Sequence, residues 1–178
     1  DVYKRQLIER DSGGLFSVRA CGTLDPSGFV KGWSVDEAMA RLEVAGARNL
    51  AINAGGDVLT RGRPAPGEPW RIGIRHPSQP SKVAAVVSGR DIAVATSGNY
   101  ERGPHIVDPR TGVAAAGLES VTVIGAELGL CDAYATAAFA GGEAGVGWAS
   151  RLPGFGVIAM TPAGRMLSND RAAELRVA

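Results

Sequence analysis

The chain has 178 residues, of which 45% are hydrophobic and 21% are charged, and its 19 basic and 18 acidic side chains leave a formal charge of +1. This near-neutral balance argues against the broad basic surface by which proteins bind nucleic acids or acidic membranes. The composition is typical of a globular protein rather than a disordered one, and no apolar run reaches the ~18 residues that a membrane-spanning helix needs.

The first predicted elements are a strand and a helix joined by a long loop. The strand is expected over 15–20 and the loop over 21–32. The helix is expected to begin at Ser34, because Glu37 three residues later completes a capping box. Apolar residues then recur at helical spacing until Gly46, where the helix is expected to end.

The rest of the chain is predicted to consist mostly of strands. From Trp70 to Arg75, apolar residues alternate with arginine and glycine, which indicates one buried side and one side in water. The other strands are predicted over 49–53, 58–61, 83–87, 92–95 and 120–124, the helices over 132–140 and 144–152, and a closing hairpin over 156–160 and 165–167. Because strands outnumber helices and most links are short, we expect an α+β fold with a mainly antiparallel sheet and packed helices, in one domain over residues 1–178.

Neither the cysteines nor the first residues indicate a compartment. Cys21 and Cys131 lie far apart and form neither a disulfide framework nor a zinc motif, so two small buried residues are the simpler interpretation. The chain begins Asp-Val-Tyr, without methionine or a signal peptide, which favours a fragment of a longer protein. The localisation therefore stays open.

Asp132 and Thr136 lie four residues apart on a predicted helix, so both side chains occupy one face. A carboxylate and a hydroxyl so placed suit a hard cation such as Mg²⁺, which prefers oxygen ligands and leaves other positions to water or phosphate. The alternative is that Asp132 caps the helix while Thr136 bonds back to a carbonyl. The spacing alone favours this structural alternative.

Two glycine-containing segments are also candidates for contact with a ligand. Lys31 lies between Gly28 and Gly32 just ahead of the predicted helix, where a helix N-terminus attracts anions, although a solvated loop lysine explains the same pattern. The Ala-Gly-Gly-Asp turn at 54–57 either brings the backbone close to a ligand or simply closes a hairpin. Neither segment matches a phosphate-binding P-loop or a dinucleotide fingerprint.

The two histidines, His76 and His105, differ in their surroundings. His105 precedes the strong turn signal Asp-Pro-Arg-Thr-Gly at 108–112, in a loop-rich region of the kind that often holds catalytic residues. It is therefore either a group that takes and gives a proton near neutral pH or a hydrogen-bonding group that holds the turn. His76 precedes Pro77 and more simply closes its strand.

Five segments, taken in chain order, resemble the ApbE family, the FAD:protein FMN transferases. They are LDPSGFVKGWSVD at 24–36, NAGGD at 53–57, WRIGIRHP at 70–77, ATSG at 95–98 together with HIVDPRTG at 105–112, and SVTV at 120–123 together with DAYATA at 132–137. Each segment is a weak signal alone. Their order and spacing make the set specific.

The resemblance implies an ApbE-like, T-fold-like domain that lacks its N-terminal portion. It also implies a Mg²⁺-dependent enzyme that cuts FAD at its pyrophosphate, attaches FMN through phosphate to a threonine of an acceptor protein, and releases AMP. The partners are then FAD and that acceptor, which in many relatives is a membrane redox protein, and no nucleic acid is expected. Many bacterial relatives are exported, but no residue here indicates export.

The same resemblance implies a set of site residues that hold the metal, contact FAD or act as the base. They are Asp132, Thr136 and the backbone carbonyl of Gly28 for Mg²⁺, Asp25, Lys31 and His105 for FAD, and His105 again as the catalytic base toward the acceptor.

The chain departs from the family pattern chiefly in length, because the portion that supplies further flavin and adenine contacts is expected to precede it. Two alternatives therefore stay open: a non-catalytic FAD-binding module, and an FAD pyrophosphate hydrolase that yields FMN and AMP. Cys131 also stands where the family commonly has alanine, which is a tolerable change between small residues. The acceptor motif Asp-x-x-Ser/Thr-Gly/Ala-Ala-Thr does not occur in the sequence, so self-flavinylation is not expected.

Overall fold

A computed structural model of the chain describes residues 2–20, 22, 24–99, 103 and 105–177. The helices in this described part are α1 (Val2–Asp11), α2 (Ser27–Val44), α3 (Leu128–Ala140), α4 (Gly142–Ala149) and α5 (Asp170–Leu175). The strands are β1 (Leu50–Ala54), β2 (Asp57–Arg61), β3 (Trp70–Arg75), β4 (Val83–Gly89), β5 (Ala93–Gly98), β6 (Val107–Asp108), β7 (Val113–Ala114), β8 (Ser120–Gly125), β9 (Gly156–Met160), β10 (Met166–Ser168) and β11 (Arg176–Val177).

The strands form one large antiparallel sheet and two small ones. The large sheet has the order β1-β2-β5-β8-β9-β10, the second has the order β11-β4-β3, and β6 pairs with β7. Every pair of neighbouring strands in these sheets is antiparallel. The predicted α+β class with a mainly antiparallel sheet is confirmed, as are the strand over 70–75 and the closing hairpin of β9 and β10.

Both faces of the large sheet are covered, which explains why β8 and β9 are buried along almost their whole length. Alternate residues of β8, such as Val121 and Val123, pack with α2 and α3 residues that include Met39 and Phe139. Ile124 faces the other way, in a second cluster formed with β3, β4 and α5. By contrast, β3 keeps one side in water, and its sequence alternates accordingly. Among the described helices, none is long and apolar enough to cross a membrane.

The N-terminal part differs from the sequence prediction. Residues 15–20 lie in turns instead of a strand, and α1 precedes them without having been predicted. The first long helix begins at Ser27, not at Ser34, because the Asp25 carboxylate accepts the Ser27 N–H at 2.9 Å and starts the helix earlier. The Ser34 hydroxyl donates to the Lys31 carbonyl inside the helix, so the predicted capping box does not form. Lys31 is therefore a helical residue rather than a loop residue.

Smaller differences occur elsewhere. α3 begins at Leu128, four residues before the predicted start, and β5 extends to Gly98. α5 and β11 were not predicted at all, and both pack against strands far away in the sequence. Cys131 is buried, as expected, whereas Cys21 lies outside the described residues.

The start of α3 is capped by a side chain from another helix. The two carboxylate oxygens of Asp36 on α2 accept the N–H groups of Leu128 and Gly129, each at 2.8 Å. The local N-cap residue, Glu127, makes no capping bond through its own side chain. Asp36 is half-buried, and this burial raises its pKa even though the two N–H groups oppose the rise. The interaction fixes the register of α2 against α3.

Replacing Asp36 is expected to loosen this junction. Asp36→Ala leaves two backbone donors without a partner and should lower the free energy of unfolding by about 2 kcal/mol, whereas Asp36→Asn keeps one acceptor and should lose about half as much. Urea unfolding followed by circular dichroism measures both values. A loss below about 0.5 kcal/mol for the alanine variant would contradict the capping role.

Candidate functional site

A cavity of about 490 Å³ opens where α2 and α3 meet the ends of β5 and β6. Its volume lies within the range typical of small-molecule sites. All the residues for which the sequence predicted a ligand or catalytic role line this cavity. They are Asp25, Gly28, Lys31, His105, Asp132 and Thr136. The structure thus brings together residues from three distant stretches of the chain.

One wall of the cavity is formed by successive turns of α3. Asp132 and Thr136 both line it, one helical turn apart. The Thr136 hydroxyl lies 3.2 Å from the hydroxyl of Ser97 at the end of β5. Gly28 on α2 approaches this wall so closely that a side-chain carbon at position 28 would lie 3.3 Å from the Thr136 hydroxyl oxygen. Glycine at this position therefore lets the start of α2 lie directly against Thr136.

Lys31 lies between two buried carboxylates. Its ammonium nitrogen is 2.6 Å from Oδ2 of Asp57 and 3.9 Å from Oδ1 of Asp132. The two carboxylate side chains are only 3% and 7% exposed, but the lysine side chain is 40% exposed and reaches the cavity. One ammonium thus faces two carboxylates. Because it pairs closely only with Asp57, negative charge on Asp132 remains at the α3 wall.

The environment of Asp132 disfavours its ionised form. Burial raises the pKa of Asp132 to about 6, and the neighbouring Asp57 charge adds to the rise. The Lys31 charge and the Gly32 N–H, which lies 3.3 Å from Oδ2, act in the opposite direction. Because burial disfavours the ionised form, any further positive charge that enters the cavity stabilises this carboxylate.

Asp25 stands at the rim, beside the start of α2. The Ser27 hydroxyl, together with the Ser27 N–H, lowers the pKa of Asp25, so the carboxylate is ionised at neutral pH. Asp25 is exposed, and its own N–H bonds to the Val18 carbonyl at 2.7 Å. The backbone of Asp25 is thus held in place, and its carboxylate remains accessible to a ligand.

His105 has a defined tautomer. Its Nδ1 lies 2.8 Å from the Gly103 carbonyl, which can only accept a hydrogen bond. Nδ1 therefore carries the proton in the neutral ring, and Nε2 has a free lone pair. The side chain is exposed at the cavity and precedes the β6–β7 hairpin, whose predicted turn is confirmed by the bonds from Thr111 and Gly112 to the Asp108 carbonyl. The arrangement suits a group that accepts a proton.

Apolar side chains also line the cavity. Leu15 and Phe16 come from the turn segment after α1, Val30 from α2, and Ile106 and Pro109 from the histidine loop. A ligand that fills the whole cavity must therefore have an apolar portion as well as a charged or oxygen-rich one.

Two polar residues of the site were not singled out from the sequence. Asp57 ends the turn at 54–57, for which two interpretations were left open. The structure shows that this turn closes the β1–β2 hairpin and that Gly55 also lines the cavity. Ser97 lies in the ATSG segment at 95–98, to which no separate role was given. The sequence signals for Asp57 are its place at the end of the NAGGD segment and its position just ahead of a predicted strand. Its burial depends on the pairing of β2 with β5.

The donor atoms at the α3 wall are oxygens. Within the ranges that the structure describes, no group of three or more His, Cys, Asp or Glu side chains could enclose a metal ion. A closed structural metal site is thus not found in that part of the chain. A single buried carboxylate beside a hydroxyl instead resembles the sparse protein coordination of Mg²⁺, which takes most of its ligands from water or phosphate.

Comparison with known proteins gives a consistent family. The family model described as the ApbE family matches residues 3–159. The chain is 41% identical over 128 residues to a FAD:protein FMN transferase of Rhodobacter capsulatus and 35% identical over 130 residues to one of Vibrio cholerae, with 67% of the chain covered in both cases. The matched regions make up only 24% and 39% of those two proteins, so the chain spans well under half the length of these curated relatives.

Solved structures show the same fold. The ApbE protein of Thermotoga maritima aligns with a TM-score of 0.76 at 29% identity, covering 88% of this chain and 54% of that one. The apo flavinyl transferase ApbE of Pseudomonas stutzeri aligns with a TM-score of 0.84 at 22% identity, covering 99% of this chain and 74% of its own. At 22% identity, the similarity to the Pseudomonas stutzeri protein supports the fold alone.

Proposed function

Because this chain belongs to the ApbE family, we propose that its cavity binds FAD and takes part in the transfer of FMN from FAD to a threonine hydroxyl of an acceptor protein, with release of AMP. The curated relatives carry the name FAD:protein FMN transferase, which motivates this reaction. The observation that carries the proposal is that one cavity combines apolar side chains with a lysine, a buried aspartate, several hydroxyls and an imidazole. These groups match a flavin dinucleotide, which joins an aromatic ring to an anionic pyrophosphate.

The residues at the α3 wall fit a Mg²⁺ ion. Asp132 offers a buried carboxylate and Thr136 offers a hydroxyl. Gly28 lies against Thr136 and lines the same cavity as Asp132, and its carbonyl is the third proposed ligand. The excess of carboxylate over ammonium charge favours a divalent cation at this place. When bound, the ion would offset the charge of the pyrophosphate and of the AMP leaving group. Asp25 and Lys31 are proposed to lie against the FAD.

His105 is proposed to accept the proton of the acceptor threonine at Nε2. In the transfer step, a bond forms between the threonine oxygen and the FMN phosphorus. The bond from that phosphorus to the bridging oxygen breaks, and the bridging oxygen leaves with AMP. The hydrogen bond from Nδ1 to the Gly103 carbonyl would hold the ring and stabilise the positive charge that it gains.

The proposed reaction can be tested by mixing the chain with FAD, Mg²⁺ and a protein that bears the acceptor motif. Flavin fluorescence that stays with the acceptor on a denaturing gel, together with AMP release, is the expected result. Release of AMP and free FMN without labelling indicates the hydrolase alternative. Bound FAD without any AMP indicates the binding-module alternative, and either outcome removes the transferase proposal for this chain.

Replacing His105 is expected to slow transfer without abolishing FAD binding. His105→Ala should lower the transfer rate by roughly 10²–10⁴-fold, because a positioned base contributes about that much, while FAD still binds, with an affinity reduced only by the loss of the His105 contact. The measurement pairs single-turnover labelling with a fluorescence titration of FAD. His76→Ala is the matched control, since His76 accepts the Ser78 N–H in a loop that does not line the cavity. Transfer at the normal rate by His105→Ala would refute the base assignment.

A further inference from the structure

Asp57 is a second buried carboxylate beside the cavity, and the proposed reaction gives it no role. It begins β2 and is only 2% exposed. Its Oδ1 accepts the Thr96 N–H at 3.0 Å, and its Oδ2 lies 2.6 Å from the Lys31 ammonium. Because Thr96 belongs to β5, which pairs with β2, the carboxylate is fixed by the large sheet itself.

The Lys31 ammonium lies closer to Asp57 than to Asp132. The ammonium is within direct ion-pair distance of Asp57 but 3.9 Å from Oδ1 of Asp132. The other oxygen of Asp132, Oδ2, faces the Gly32 N–H. Oδ1 is therefore the Asp132 oxygen for which a lysine ammonium and a metal cation would compete. Lysine has a flexible four-carbon stem, so its ammonium can move between partners that lie this close together.

We propose that Asp57 is a positioning residue that holds the Lys31 ammonium away from Oδ1 of Asp132 and thereby keeps this oxygen available for a divalent cation. The inference rests on the proposed metal role of Asp132. Asp57 does not itself contact the cation or the FAD in this scheme. Its effect is exerted through Lys31, which would otherwise pair directly with the other buried carboxylate.

A double-mutant cycle on cation affinity tests this role without any turnover. Mn²⁺ alone is the probe, because an oxygen site that suits Mg²⁺ also takes Mn²⁺ and because free Mn²⁺ is measured directly by electron paramagnetic resonance. The four proteins are the parent chain, Asp57→Asn, Lys31→Met and the combined variant. Lys82→Met controls for the loss of a lysine charge elsewhere, since Lys82 is exposed and does not line the cavity.

The expected result is strong non-additivity. Asp57→Asn should weaken Mn²⁺ binding by at least about tenfold, and adding Lys31→Met should restore most of the loss, because the competing ammonium is gone. Lys31→Met alone should raise the affinity by a clearly smaller factor. If Asp57 acted only through its net charge, Lys31→Met would raise the affinity equally in both backgrounds, and equality within about twofold overturns the inference.

Two further measurements keep the outcomes distinct. Asp132→Asn must abolish Mn²⁺ binding, and if it does not, the proposed metal site fails and this inference fails with it. If Asp132→Asn does abolish binding but the cycle is additive, only the role of Asp57 is overturned. Thermal melts establish that each variant is folded. Should Asp57→Asn not fold, Asp57→Ser, whose hydroxyl can still accept the Thr96 N–H, completes the same cycle.

Discussion

Asp132→Asn is expected to abolish Mg²⁺-dependent FMN transfer while making the metal-free chain more stable at neutral pH. The loss of function should reach about 10³-fold or more, since a metal ion typically supplies several kcal/mol of charge stabilisation to phosphoryl chemistry. Asn keeps the size of the side chain and an oxygen that can accept the Gly32 N–H, so the cavity should keep its shape. The charge that would bind the cation is what the substitution removes.

The gain in stability follows from the burial of Asp132. Its pKa in the folded chain is raised to about 6, against an ordinary value of 3.8. A carboxyl group with a raised pKa binds its proton more tightly in the folded state than in the unfolded state. Without metal, its contribution to stability is therefore greatest at low pH and is lost as the pH rises from about 4 through about 6. The difference between the two pKa values corresponds to about 3 kcal/mol.

Urea unfolding of the parent chain and of Asp132→Asn between about pH 4 and pH 7.5 measures this effect. The variant should be the more stable protein at the upper end, and the two should converge at the lower end. Mg²⁺ together with FAD should raise the stability of the parent only. Asp170→Asn serves as the control because Asp170 is exposed and does not line the cavity. If Asp132→Asn is less stable than the parent at neutral pH, the buried Asp132 carboxylate does not destabilise the metal-free fold and this explanation is wrong.

Gly32→Ala is expected to cause the largest loss of stability. A side-chain carbon at position 32 would lie 2.5 Å from the Leu128 carbonyl oxygen and 2.8 Å from the Gly129 α-carbon, both of which are backbone atoms at the start of α3. Backbone cannot move aside as a flexible side chain can, so α2 and α3 would have to separate. We expect a loss of about 3 kcal/mol, at the upper end of overpacking costs, and a weakened FAD site because Lys31 precedes this crossing.

The matched control is Gly147→Ala on α4. The only atom near a side-chain carbon there is the end of the Arg151 side chain at 4.0 Å, so the substitution meets open space. Alanine should stabilise this helix by about 0.5–1 kcal/mol. Opposite signs for the two glycine variants in urea unfolding are expected. Equal effects at positions 32 and 147 would mean that the α2–α3 crossing is not tightly packed.

The sequence predicted the strands best where the pattern reflects one local cause. In β3, the alternation of apolar and polar residues arises because one face of the strand is exposed to solvent, so the sequence pattern predicts the strand directly. The start of α2 was misjudged because two overlapping signals compete. Ser34 and Glu37 form a plausible capping box, but Asp25 starts the helix two residues later at Ser27, which is a choice that the sequence pattern alone does not decide.

The candidate site was predictable only in part. Ordered motifs indicated Lys31, His105 and Asp132, and these residues do line one cavity, although their roles remain proposals. Asp57 lies in one of the same motifs, NAGGD at 53–57, but the resemblance gave this residue no role. Its neighbours in sequence form a hairpin turn, whereas its burial and its ion pair depend on pairing with β5 and on the approach of α2. Such long-range contacts leave no local pattern.

The most direct test is a crystal structure of the chain with FAD and Mn²⁺, in which the anomalous signal locates the metal. We expect one metal ion in direct contact with Asp132 and Thr136, with the FAD pyrophosphate beside it and His105 facing the same phosphates. FAD bound outside the cavity, or a metal held by other residues while Asp132 stays uncoordinated, would contradict the proposed site.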